Sequence, residues 1–126
     1  MGMLIEGKWQ KESTFPSNKA GRFDRPSSVF RGQIDIDNRE FQPESRRYHL
    51  YISYACPWAH RVLIMRELKG LTQHIGISAV SPDMLEYGWS FDNTDEDCTG
   101  DQLYQSSFLY EIYQRSEKNL TTRSTV

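Results

Sequence analysis

Cysteine is scarce in this sequence, which contains only Cys56 and Cys98. The position three residues after Cys56 is Ala59, so the Cys-x-x-Cys of a dithiol redox site is excluded. Long apolar runs are also missing. Val62-Leu63-Ile64-Met65 is among the longest, far short of the roughly 20 residues that cross a bilayer. The first residues lack the basic region and continuous apolar run of a signal peptide, and no membrane association is expected. Nor does one sign of charge dominate. Lys and Arg total 15 against 17 Asp and Glu, a net −2 with the signs interspersed, whereas a nucleic-acid surface needs a basic stripe. The acidic stretch Asp92, Asp95, Glu96, Asp97 and Asp101 lacks the Gly and Glu positions of a calcium-binding EF-hand loop, so no metal is expected. What remains, 37% hydrophobic and 25% charged, suits a single globular domain. Two cysteines in very different settings fit a reduced, cytoplasmic location.

Against those absences stands one junction, Tyr54-Ala55-Cys56-Pro57-Trp58-Ala59-His60-Arg61. Before it, Tyr48, Leu50, Ile52 and Tyr54 alternate with His49, Tyr51 and Ser53, which predicts a strand over 48–54. After it, Val62, Leu63, Met65, Leu68 and Leu71 recur at helical spacing, and Gly70 is placed to end a helix over 57–69. Pro57 suits the first helical position, where its fixed φ fits and its missing N–H costs nothing. Cys56 is then the N-cap, where unpaired N–H groups and the positive end of the helix dipole favour thiolate over thiol. His60 and Arg61 can add positive charge by turning back toward the sulfur. With Ala59 in place of a second cysteine, the chemistry expected is monothiol. Cys56 attacks a sulfur, holds a mixed disulfide, and is released by an external thiol such as glutathione.

Cys-Pro-Trp-Ala-His-Arg followed by Val-Leu-Ile-Met-Arg-Glu-Leu-Lys-Gly-Leu closely resembles the nucleophile segment of the glutathionyl-hydroquinone reductases, the xi-class glutathione transferases. The resemblance includes Val80-Ser81-Pro82, Gly88-Trp89-Ser90-Phe91-Asp92, Leu109-Tyr110-Glu111-Ile112-Tyr113 and Arg123-Ser124-Thr125-Val126. It implies an α/β, thioredoxin-like fold of the glutathione transferase N-terminal type, here truncated to a βαβα unit with an irregular N-terminal arm. It further implies glutathione as co-substrate, glutathionyl-hydroquinones as substrates, and a homodimer only for the complete family. Cys56 would be the catalytic nucleophile, with Trp89, Arg123 and the backbone of Val126 as glutathione contacts. Trp89 by itself suits capping a core as well as touching a ligand; the resemblance favours the ligand. Trp58 is expected to be buried beside the nucleophile. The sequence departs from the family at Ser124, where an apolar residue is expected. The family's cis-proline, its Glu-Ser pair for the γ-glutamyl group and its C-terminal helical domain are not among these residues.

Residues 1–46 read as a weakly structured arm whose isolated aromatics, Trp9, Phe15, Phe23 and Phe30, dock singly on the body. Residues 47–126 form the partial glutathione-binding domain. After the first strand and helix, Ile75–Val80 predicts a second, parallel strand, placing Cys56 beyond the carboxyl end of the first, where open α/β sheets bind ligands. Residues 83–101 read as a long connection in which Cys98, beside Glu96 and Asp97, is inert. Asp101 is expected to cap a helix over 102–117. Two further readings stay open: a glutaredoxin-like thiol transferase or dehydroascorbate reductase, and a truncated, catalytically silent fragment.

Overall fold

The computed structural model describes residues 2–11 and 29–122. Along them come β1 (Met3–Ile5), β2 (Lys8–Gln10), β3 (His49–Ile52), helix α1 (Pro57–Leu68), β4 (Gly76–Ala79), β5 (Met84–Leu85), β6 (Gly88–Trp89) and helix α2 (Leu109–Ser116).

The alternating segment becomes β3, which pairs in parallel with β4 from His49↔Gly76 to Ile52↔Ala79. The ladder continues past β4, because Val80 N–H donates to the Ile52 carbonyl at 2.9 Å. Between the strands runs α1, closed as the sequence anticipates. Gly70 takes φ +65°, its N–H donates to Glu67 O, and Leu71 N–H donates to Arg66 O, the paired bonds of a glycine-terminated helix end. The Arg66 guanidinium then donates to Ile75 O at 2.8 Å and Thr72 O at 2.9 Å, fixing the turn into β4. The other edge of β4 is held as well. Ala79 N–H donates to Thr99 Oγ1, and the Ala79 carbonyl accepts from Thr99 N–H.

Alternation along the strands sends side chains to two faces, and each face carries its own core. Ile52 and Ala79 meet Ala59 of α1, with Leu50, Cys56, Leu63 and Ile77 around them. A second cluster joins Val80, Phe91 and Leu109 of α2, with Tyr51, Trp89, Ile112 and Tyr113 packed against it.

Three expectations change. The apolar stripe on α1 does not all face inward. Ala59 and Leu63 turn to the strands, leaving Val62 and Met65 exposed and Leu68 76% exposed, so α1 is apolar on two sides. The second helix begins at Leu109, not near 102. Asp101 does cap a turn, but Gln105 follows with φ +57° and breaks it. Glu111 then supplies a new start, its carboxylate accepting from the N–H groups of Ser107 and Phe108. Finally, the segments read as an arm and a long connection each hold a hairpin: β1 pairs antiparallel with β2, and β5 with β6.

Candidate functional site

Cys56 is the N-cap of α1, with extended backbone (φ −94°, ψ 116°) and Pro57 at the first helical position. A tight turn delivers it there. Buried Ser53 accepts the Cys56 N–H on its carbonyl at 3.0 Å and the Ala55 N–H on its Oγ at 3.2 Å, and the Cys56 carbonyl accepts the helix bond from His60 N–H. The sulfur makes no capping hydrogen bond to the first turn, but it lies within a turn of the amide dipoles that stabilise an anion there. The side chain is half-buried, packed on Ile52, Ala59 and Ala79. Ala59, where a dithiol site would have its second sulfur, is 4% exposed. A thiol there would be enclosed in the core.

The residues after Cys56 do not behave as expected. Trp58 is 61% exposed rather than buried, because the helix turns Ala59 and Leu63 inward. The Arg61 guanidinium lies over the Trp58 ring at 4.7 Å, a cation–π contact. His60 is exposed.

Trp89 closes β6 and packs, half-buried, against the cluster of Val80, Phe91 and Leu109. Val80 directly follows Ala79, on which Cys56 packs. Cys56 and Trp89 therefore sit on the clusters of opposite faces of the parallel pair, linked through the consecutive residues Ala79 and Val80. Arg123 and Val126 lie outside the described residues. Cys98 is buried, its thiol directed at the Ala79 carbonyl at 3.3 Å and the Asn93 amide oxygen at 3.8 Å. Enclosure, not only acidic neighbours, separates it from reagents.

Behind the site lies a polar brace that the sequence reading missed. Asp101 is 7% exposed and accepts from the Tyr51 hydroxyl at 3.0 Å and from the N–H groups of Leu103, Tyr104 and Ser106. Burial alone would raise the Asp101 carboxyl, but those N–H donors hold it down, to about 2. Tyr51 is pushed up, by burial first and then by its bond to Asp101. Beside them, His49 Nε2 and Ser78 Oγ share a hydrogen bond at 2.8 Å, and burial lowers the imidazole's pKa against the opposing pull of Asp101. Alternation placed His49 and Tyr51 on the strand, but only their long-range partners reveal the brace.

A cleft of about 780 Å³ opens between residues 85–93 and 99–108, lined by Tyr87, Phe91, Asp101 and Phe108 among others; neither Cys56 nor Trp89 lines it. The acidic stretch is spent locally. Asp92 accepts from Thr94 N–H and Asp95 from Ser81 Oγ, and among the described residues no three His, Cys, Asp or Glu side chains converge as metal ligands. No helix among the described residues is long and apolar enough to cross a membrane.

No protein-family model matches the chain. Among solved structures, a xi-class glutathione transferase from Natrialba magadii is similar at a TM-score of 0.86 and 42% identity, over 100% of this chain and 37% of that one. The glutathione-bound structure of YqjG from Escherichia coli K-12 is similar at a TM-score of 0.75 and 43% identity, over 98% of this chain and 36% of that one. In sequence, glutathionyl-hydroquinone reductase YqjG of Escherichia coli K12 is 45% identical over 133 aligned residues, 100% of this chain and 40% of that protein. A strand, a cysteine at the N-cap of the following helix and a parallel second strand, together with these likenesses, define a thioredoxin-like unit of the glutathione transferase N-terminal type. Within that class, the chain corresponds to the N-terminal portion of the xi-class enzymes, the glutathionyl-hydroquinone reductases. It spans about two-fifths of the length of these relatives.

Proposed function

We propose that Cys56 is the nucleophile of a glutathione-dependent thiol transfer that reduces glutathionyl-hydroquinones, with the glutathione site in residues 47–126. The observation that carries this reading is Cys56 at the N-cap of α1 with Ala59, not a second thiol, enclosed behind it. The Cys56 thiolate attacks the glutathione sulfur of the substrate. A sulfur–sulfur bond forms, the sulfur–aryl bond breaks, and the ring carbon takes a proton to give the hydroquinone. Glutathione thiolate then attacks the Cys56–glutathione disulfide, releasing oxidised glutathione and restoring the Cys56 thiolate. The aryl carbon is reduced and two glutathione sulfurs are oxidised to one disulfide.

Trp89 offers a flat apolar face to the tripeptide, and Arg123 a planar fork suited to one of its carboxylates. Val126 contributes backbone groups. The names of the relatives and the glutathione bound in the YqjG structure support the substrate class, and two cysteines both present as thiols suit a reduced cytoplasm. Mass spectrometry after incubation with a glutathionyl-hydroquinone tests the reading. One glutathione added at Cys56, removed by excess glutathione and missing in Cys56→Ser, is expected. Adduct at Cys98 alone, or none at all, would overturn it. Reduction of dehydroascorbate or of simple mixed disulfides without the aryl thioether would redirect it to the glutaredoxin-like activity.

A further inference from the structure

The N-terminal hairpin bonds to segments adjacent in sequence to two of the proposed glutathione contacts, Trp89 and Arg123. Its turn, Glu6-Gly7, is left-handed at φ +48° and +74°, and a methyl on Gly7 would fall 1.7 Å from the Lys118 carbonyl oxygen. Through that close approach the hairpin pairs with the segment after α2. Leu4, fully buried, exchanges backbone bonds with Thr122 at 2.7 and 3.0 Å, and Gly7 N–H donates to Leu120 O at 2.9 Å. Gln114 Nε2 donates to Gly7 O at 2.6 Å, tying the turn to α2. The residue after Thr122 is Arg123.

From β2 of the same hairpin, Trp9 reaches the other contact. Its ring stacks on Tyr110 of α2 at 4.8 Å and 17°, and its Nε1–H donates to Glu86 O in the β5–β6 turn at 3.2 Å. The ring covers Gly88, where φ is +78° and an added Cβ would meet Trp9 Cη2 at 2.8 Å. Gly88 is the residue before Trp89. Lys11 Nζ adds an ion pair to Glu86 at 2.8 Å and lies over the Tyr87 ring at 4.4 Å. The β5–β6 hairpin is too short to hold its own register, and the indole supplies the missing wall.

We infer that the hairpin Met3–Gln10 is a positioning element of the proposed glutathione site: Trp9 fixes the Gly88–Trp89 strand, while Leu4 and Gly7 hold the segment 120–122. This rests on the proposed glutathione site, and Trp9 acts through Trp89 without itself needing to touch the ligand.

The test uses the full chain with Trp58→Phe, so that Trp9→Ala, Trp9→Leu and Trp9→Tyr each leave Trp89 as the single tryptophan. Acrylamide quenching reads the exposure of Trp89, a glutathione titration reads affinity, and alkylation reads Cys56. In Trp9→Ala, Trp89 quenching is expected to rise by about twofold over Trp9→Tyr and glutathione affinity to fall by about tenfold, with the Cys56 alkylation rate unchanged. Trp9→Tyr, which keeps a stacking ring, restores both readouts. Trp9→Leu, which keeps bulk but neither stacks nor donates, behaves as the alanine variant and serves if that variant does not fold. Equal quenching and equal affinity across the three variants would overturn the inference. So would Cys98 alkylating as fast as Cys56 in Trp9→Leu, which would make Trp9 only a support of the whole fold. Failure of the parent chain to bind glutathione would instead refute the proposed function, and the quenching series would still decide whether Trp9 positions Trp89.

Discussion

The two faces of the parallel strand pair are built by different means. On the Cys56 face, aliphatic side chains of modest size, Ile52, Ala59 and Ala79, meet a single helix whose far side remains apolar and exposed. On the Trp89 face, rings cross-brace the cluster. Tyr51 meets Phe91 edge-on at 5.9 Å, Phe108 stacks on Tyr110 at 5.5 Å, and Tyr110 stacks on Trp9. Hydrogen bonds accepted by the Asp101 and Glu111 carboxylates pin the chain around them. The proposed nucleophile, Cys56, thus stands half-buried on a thin wall, and the proposed ligand contact stands on a braced one.

The comparison can be broken most sharply at the sulfurs. With iodoacetamide at neutral pH, the half-buried Cys56 should react at least about 100-fold faster than the enclosed Cys98, and comparable rates in the two single-cysteine variants would erase the distinction. The next largest effect is on stability. Leu109→Ala, which empties a site 1% exposed in the braced cluster, should cost about 3 kcal/mol in urea denaturation. A loss under about 1 kcal/mol would mean that the cluster collapses around the gap.

Asp101→Ala should cost about 2 kcal/mol, and its pH dependence gives a second measure. The carboxyl's value drops from 3.8 to about 2 on folding, so the folded chain holds fewer protons in that interval. The stabilisation is therefore complete above about pH 4 and is lost as the pH falls toward 2. In the alanine variant that acid-side loss should shrink; an unchanged profile would place the acid sensitivity elsewhere. The smallest effect is expected at α1, where Leu68→Gln on the bare side should change stability by no more than about 0.5 kcal/mol. A large loss there would show that the exposed side is covered in solution.

Much of the Cys56 face was legible in the sequence because its determinants are local. The alternation from Tyr48, Pro57 at the helix start and Gly70 at its end act within a few residues, and β3, α1 and β4 form where they point. Competing local signals misplaced α2. Asp101 has the chemistry of an N-cap and does cap, but Gln105 turns left-handed and Glu111 offers the cap that a longer helix uses. The inward turn of α1 was ambiguous from the start, since apolar residues surround much of it, and Trp58 lost the inside to the smaller Ala59. The hairpin of β1 and β2 carried only a weak signal, Glu6-Gly7 after the short apolar run Met3-Leu4-Ile5. Its partners were not readable, because Glu6 meets Thr121 across 115 residues. Cys56 was legible from chemistry alone, whereas Trp89 became a candidate only through family resemblance.

The pairing of Leu4 with Thr122 also sets an order of assembly. His49 and Ser78, which join the parallel strands, are 29 residues apart, against 115 for Glu6 and Thr121. Two doublings of separation add about 1.2 kcal/mol of loop-closure entropy. During synthesis at roughly 5–20 residues per second, the β3–α1–β4 unit is complete on the order of several seconds before the hairpin's docking strand is made. The hairpin Met3–Gln10, made earlier still, must wait for that segment before Leu4 can pair with it. A nascent chain halted before Tyr110 should therefore carry Cys56 on its helix and leave Trp9 unstacked, with the latch made but not yet closed.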